Sequence, residues 1–213
     1  MNNPLAHQLT TAPEIIEAVA STPPTPVHPS SGKVDAFVAG VGTGGTISGV
    51  AKGIKDVHNP GCIVVGVDPV GHFLFLETVS LSLYVSLQVG SSLAPASLNE
   101  TSKGHPYVVE GIGYDFWPDV LTREPGMIDE WVKTDDVDAF AAIQLLMRHE
   151  GTLVGGSSGS ALAGALAWLR SESGREIAQT PGKNVVIILA DGCVLQELSH
   201  SSLESGLTCV ATG

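Results

Sequence analysis

The chain has 213 residues, enough for one domain or a domain and a half. Hydrophobic residues make up 43% of it and charged residues only 15%, which excludes wholesale disorder and suggests buried sheet joined by glycine-rich turns. Acidic residues outnumber basic ones 22 to 10, so the chain lacks the Lys/Arg excess that nucleic acid or an anionic membrane surface would need.

Cys62, Cys193 and Cys209 lie far apart with no C-x-x-C pair. The opening MNNPLAHQLTTAPE has neither the basic nor the apolar region of a signal peptide. Both features predict a reduced, cytoplasmic protein. The seven histidines are scattered, so no metal site is expected.

Residues 1–20 carry a short helical pattern, with Pro13 in a first turn and Ile15, Ile16 and Val19 on one face. Residues 21–32, with four prolines between 23 and 29, read as an exposed linker. Lys33–Val41 reads as a strand, ISGVAKGIKDVH as a helix stopped by Asn59-Pro60-Gly61, and Ile63–Val67 as a second strand. Such a β-α-β unit predicts a parallel sheet.

From Val79 to Val89 every odd residue is Val or Leu and every even one Ser, Tyr or Gln, the period of a half-buried strand. Tyr107–Glu110 is a short strand candidate. Residues 135–150 form an amphipathic helix, with Thr134 or Asp135 as N-cap and Gly151 past its end. ALAGALAWLRSE reads as a second helix. Lys183–Asp191 is apolar enough to be a central parallel strand, and residues 196–213 read as a poorly ordered tail. The fold class is therefore α/β, a parallel sheet of at least three strands flanked by helices.

Two glycine-rich loops carry the chemistry. Gly40-Val41-Gly42-Thr43-Gly44-Gly45-Thr46 joins a strand to a helix, where free N–H groups, the helix dipole and two threonine hydroxyls favour a phosphate. Gly40, Gly42 and Gly45 also match G-x-G-x-x-G, and Asp68 ends the next strand, so a dinucleotide is a rival ligand. Gly155-Gly156-Ser157-Ser158-Gly159-Ser160 opens a second helix. Two such loops could grip opposite ends of one cofactor.

GTGGT after a strand, EGIGYDF, GGSSGS before a small-residue helix, and NPLAH followed by TTAPEI together resemble the cysteine synthase/cystathionine β-synthase family of fold type II pyridoxal-phosphate enzymes. The likeness covers Asn3–Ile16, Lys33–Val70 and Ser91–Asp191. It implies that Gly42, Thr43, Gly44, Gly45 and Thr46 bind the phosphate of pyridoxal 5'-phosphate. Ser157 would meet the pyridine nitrogen, and Gly111, Ile112, Gly113 and Tyr114 would line the substrate side. It further implies a β-replacement joining L-serine and L-homocysteine to give L-cystathionine and water, amino-acid substrates, and a homodimer.

The family's Schiff-base lysine, in a Ser-x-Lys-Asp-Arg context, and its Ser/Thr-Gly-Asn-Thr loop have no match here. None of Lys33, Lys52, Lys55, Lys103, Lys133 and Lys183 has that context. The chain thus corresponds to the C-terminal half of a catalytic core (residues 33–195), without a catalytic lysine and expected to be inactive alone. A non-catalytic piece that pairs with a full-length relative is a further reading. Val70-Gly71 and Val89-Gly90 bracket what looks like an insertion at 71–90, and the family's Pro-Asp-Ser reads Ala190-Asp191-Gly192. Half a core should leave apolar surface uncovered, so self-association or marginal stability is expected.

Overall fold

The computed structural model describes residues 2–73, 91, 93–99 and 106–193. The alternating stretch Val79–Val89 and the C-terminal tail 196–213 both fall outside these residues.

The elements in order are α1 (Asn2–Leu9), α2 (Thr11–Ser21), β1 (Ala36–Gly40), α3 (Gly45–Val57), β2 (Ile63–Pro69), β3 (His72–Phe73), α4 (Ala96–Asn99), β4 (Pro106–Tyr107), β5 (Glu130–Thr134), α5 (Asp136–Glu150), α6 (Gly156–Arg170), α7 (Glu172–Gln179) and β6 (Val185–Ile187). Four strands form a parallel sheet in the order β5-β2-β1-β6, and β3 pairs with β4 in a small parallel ribbon. The α/β parallel-sheet architecture read from the sequence is the one found.

The alternation of β1 divides the core in two. Phe37, Ala39 and Val41 face a cluster with Ile47, Val50, Ala51 and Ile54 of α3. Ala36 and Val38 face Ala165 and Trp168 of α6. Both faces of the central strands are covered, as parallel strands require. Each large side chain fully buried here, such as Phe37, Ile54 or Trp168, contributes about 1.5–3 kcal/mol through lost water contact.

α1 buries no residue of its own. It lies along a stripe on α3 made by Gly45, Gly49 and Gly53, spaced by four. A Cβ on Gly49 would collide with the Pro4 carbonyl oxygen and lie 2.8 Å from His7 Cβ, so only glycine lets the two helices meet. Ile15, Ile16 and Val19 of α2 pack half-buried against the α3 side of the core, as the helical pattern predicts.

Several boundaries differ from the sequence reading. The N-terminal segment is two helices, because Pro13 has no N–H to give the Leu9 carbonyl and the chain turns at Thr10. α6 begins at Gly156, so the GGSSGS segment is its first turn rather than a loop before it. α7 is a separate helix, started by the Ser171 side chain accepting from the Gly174 N–H. β4 stops at Tyr107.

Two corrections concern the sheet. β5 was not anticipated, since EWVKT is short and carries two charged residues, Glu130 and Lys133. β6 is three residues long and lies at the sheet's edge, not its middle; Val185, Val186 and Ile187 are all half-exposed. Its apolar run resembles a central strand, but among the described residues only β1 pairs with it.

α5 behaves as read. The Asp135 side chain accepts from the Asp138 N–H, and Gly151 closes the helix at φ 65°.

Candidate cofactor site

The site lies beyond the carboxyl ends of β1 and β6, where ligands of open parallel sheets bind. Gly40 ends β1, and the chain turns through Gly42–Gly44 into α3. The N-cap is Gly44 at φ 82°, and no side chain caps the helix. Leu121 packs against the spot a Gly44 Cβ would occupy, 2.6 Å from Leu121 Cβ, so the position needs glycine for conformation and for space. The amino end of α3 thus presents backbone donors with no capping side chain among the described residues.

α6 is different. Its amino end is filled from far along the chain by Asp191. The Ser157 N–H donates to Asp191 Oδ2 (3.1 Å) and the Ser158 N–H to Asp191 Oδ1 (2.8 Å). The Ser158 hydroxyl also donates to this carboxylate. The Gly155 N–H donates to the Asp191 carbonyl (3.1 Å). A carboxylate already satisfies this helix end, so an anion is better placed at α3 than at α6. Ser157 itself is 7% exposed, and its hydroxyl makes no hydrogen bond among the described residues.

The two turns meet. Gly40, Gly42 through Ile47, Gly111, Ile112, Ser157, Ile188 and Ala190 line one cleft of about 130 Å³. Of the residues singled out by sequence, Gly42, Thr43, Gly44, Gly45, Thr46, Ser157, Gly111 and Ile112 share it. Gly113 and Tyr114 do not line it. The Gly113 N–H donates to the Val41 carbonyl (2.8 Å), and Tyr114 packs half-buried against the α3 side of the core, its N–H donating to Ser91 Oγ (3.0 Å). These two anchor the 111–114 loop rather than form the cleft wall.

The same loop is held from below. Asp136, in the first turn of α5, accepts from the Val108 N–H (3.0 Å) and the Val109 N–H (3.3 Å). Burial pushes the Asp136 carboxyl above its ordinary value, partly offset by these bonds. Burial also raises the Tyr107 phenol, which stays protonated and donates to the Ile112 carbonyl (3.2 Å).

Asp68 does not line the cleft. It is fully buried, paired with Lys133 Nζ (2.7 Å), and accepts from the Ser91 hydroxyl and the Ala94 N–H (3.2 Å). The ribose acid of the dinucleotide reading is therefore committed elsewhere.

Over residues 1–191 the chain matches the family described as pyridoxal-phosphate dependent enzyme. The chain belongs to that family. Its cofactor class is therefore pyridoxal phosphate, and the dinucleotide alternative falls. Among this family's curated members it is 41% identical to cystathionine beta-synthase of Dictyostelium discoideum over 190 residues, 89% of this chain and 30% of that protein. It is 40% identical to the Mus musculus protein of the same name, again over 89% of this chain but 27% of the relative. The Saccharomyces cerevisiae cystathionine beta-synthase is 44% identical over 133 residues, 62% of this chain and 22% of that relative. The chain thus spans less than a third of the length of these relatives.

The residues present suit a phosphorylated pyridine: an uncapped helix end and two threonine hydroxyls on one side, and on the other a serine hydroxyl with no hydrogen bond among the described residues. No described lysine lines the cleft. Lys52 pairs with Asp56 (3.0 Å), Lys55 with Asp129 (2.6 Å), Lys133 with Asp68 and Lys183 with Asp35 (2.8 Å), and Lys33 is on the surface. Cys62 offers no nucleophile either, since burial pushes its thiol up to about 12. Among the described residues no His, Cys, Asp and Glu form a metal-binding group, and no helix is long and apolar enough to cross a membrane.

Sequence reasoning missed Asp191 as the anchor of Ser157, Ile188 and Ala190 as lining residues, and His7 beside Thr46. An acid closing an apolar strand was the one available signal for Asp191. His7 carried none beyond its place in NPLAH.

Proposed function

We propose that this chain forms the phosphate and pyridine walls of a cystathionine β-synthase-type site, serving the replacement of the L-serine hydroxyl by L-homocysteine. Gly42–Gly45 and Thr43 donate backbone and hydroxyl hydrogens to the phosphate, and Thr46 adds its own. Ser157 donates its hydroxyl to the pyridine nitrogen. When bound, pyridoxal phosphate supplies an electron sink for the substrate's α-carbon. A serine partner, unlike a carboxylate, leaves the ring nitrogen unprotonated, which moderates that sink. Gly111 and Ile112 shape the substrate side, while Gly113 and Tyr114 hold that loop in place.

The observation that carries this reading is that Ser157, whose hydroxyl has no hydrogen-bond partner among the described residues, lines one cleft together with the uncapped end of α3. The alternative of two unrelated structural turns leaves that juxtaposition unexplained. With no described lysine in the cleft, we further propose that the 213-residue chain does not turn over serine and homocysteine by itself. Pairing with a longer relative that carries the lysine would supply the missing group, in the reducing cytoplasm; a homodimer of this chain, the family's assembly, would not.

Titration with pyridoxal 5'-phosphate tests the reading. Binding should be saturable, weakened by Ser157→Ala and abolished by a bulky Gly42→Val. No borohydride-reducible visible band and no cystathionine should form. Failure to bind the cofactor refutes the site; a reducible band with turnover refutes the inactivity.

A further inference from the structure

We infer that Thr11, His7 and Thr46 form a one-way hydrogen-bond relay that makes Thr46 a donor toward an anion in the cleft. The inference rests on the cofactor reading above and adds a positioning residue, His7, on α1. His7 Nδ1 lies 2.9 Å from Thr11 Oγ1, and His7 Nε2 lies 3.1 Å from Thr46 Oγ1. Thr46 lines the cleft in the first turn of α3.

A neutral imidazole has one donor and one acceptor nitrogen, so the relay can run in only two directions. If Thr46 gives its single hydroxyl hydrogen to Nε2, it turns only lone pairs to the cleft, which an anion repels. If Nε2 carries the hydrogen, Thr46 accepts from His7 and keeps its own hydrogen for the anion. Nδ1 is then the acceptor, and the Thr11 hydroxyl fills it. The positive end of the α3 dipole favours the same direction. The close fit of α1 on Gly45 and Gly49 holds His7 in reach: Asn3 Nδ2 lies 2.7 Å and His7 Cβ 2.8 Å from the Cβ positions those glycines lack.

The test uses the whole chain with ¹⁵N-histidine. Imidazole spectra, assigned by the resonance lost in His7→Gln, should show His7 protonated at Nε2 and not at Nδ1. A second arm measures pyridoxal 5'-phosphate and pyridoxal binding side by side. His7→Phe should weaken the phosphorylated ligand about ten- to hundredfold, the factor for one hydrogen bond to a charged group, and leave pyridoxal unchanged. His7→Gln, whose amide can still donate to Thr46, should stay within about threefold of the parent.

An Nδ1–H tautomer, or His7→Phe binding the phosphorylated ligand as tightly as the parent, overturns the relay while leaving the cofactor site standing. Equal losses for both ligands in His7→Phe overturn it too, since they mark a purely structural role. If the parent binds neither ligand the cofactor reading fails, and the tautomer alone then decides the relay.

Discussion

Replacing Asp191 with alanine removes the group that closes the amino end of α6 and aims Ser157. Three side-chain hydrogen bonds go: those from the N–H groups of Ser157 and Ser158, and that from the Ser158 hydroxyl. Each hydrogen bond to a charged group contributes about 1.5–3 kcal/mol net, and loss of a helix cap alone costs about 1 kcal/mol. The three losses do not add in full, because this helix end borders the cleft and water can enter to take the freed donors. The expected destabilisation is about 2 kcal/mol, a fall in Tm of roughly 4–8 °C for a chain of this size. Urea unfolding followed by tryptophan fluorescence is the assay, since Trp168 lies on the same helix and is 1% exposed. Asp191→Asn separates charge from shape. Its carbonyl keeps one acceptor, but its amide faces helix donors, so it should recover less than half of the loss. A change below about 0.5 kcal/mol in Asp191→Ala would refute the argument that this carboxylate holds the Ser157 turn.

Gly44→Ala should cost about 2–4 kcal/mol by thermal melting, from left-handed backbone strain plus the clash with Leu121; Gly126→Ala, at φ 79° with open space around it, should pay the strain alone. Lys133→Met should cost about 3–5 kcal/mol in chemical denaturation because it strands the fully buried Asp68, and adding Asp68→Asn should restore at least half of that. For Asp35, burial raises the carboxyl but the bonds from Lys183, Ser31 and Asn184 outweigh it and hold it below 3.8. Its contribution is therefore present above 3.8 and lost as pH falls through the lower folded value. Asp35→Asn should flatten the acid limb of a stability–pH curve, and an unchanged limb refutes the assignment. The half-exposed edge of β6, with Leu189 39% and Leu153 63% exposed, should make the chain self-associate as concentration rises in sedimentation velocity. A sharp cooperative melt of a dilute monomer would count against this.

The local grammar of the chain was enough for the β-α-β unit, for the α5 boundaries at Asp135 and Gly151, and for both glycine turns. Each of these signals acts between residues within a few positions of one another, through dihedral preference, a cap or a period. What remained hidden depends on neighbours far along the chain. β5 exists because β2 offers it an edge, and β6 is an edge strand because among the described residues only β1 pairs with it. Asp191 reaches back 33 and 34 residues to cap α6, and His7 reaches 39 residues to Thr46. Such partners are chosen by how the helices pack on the sheet. The sequence therefore determined which groups were candidates for the site, and tertiary packing decided which of them line the cleft: Ser157 and Thr46 do, while Gly113, Tyr114 and Asp68 hold the surrounding structure.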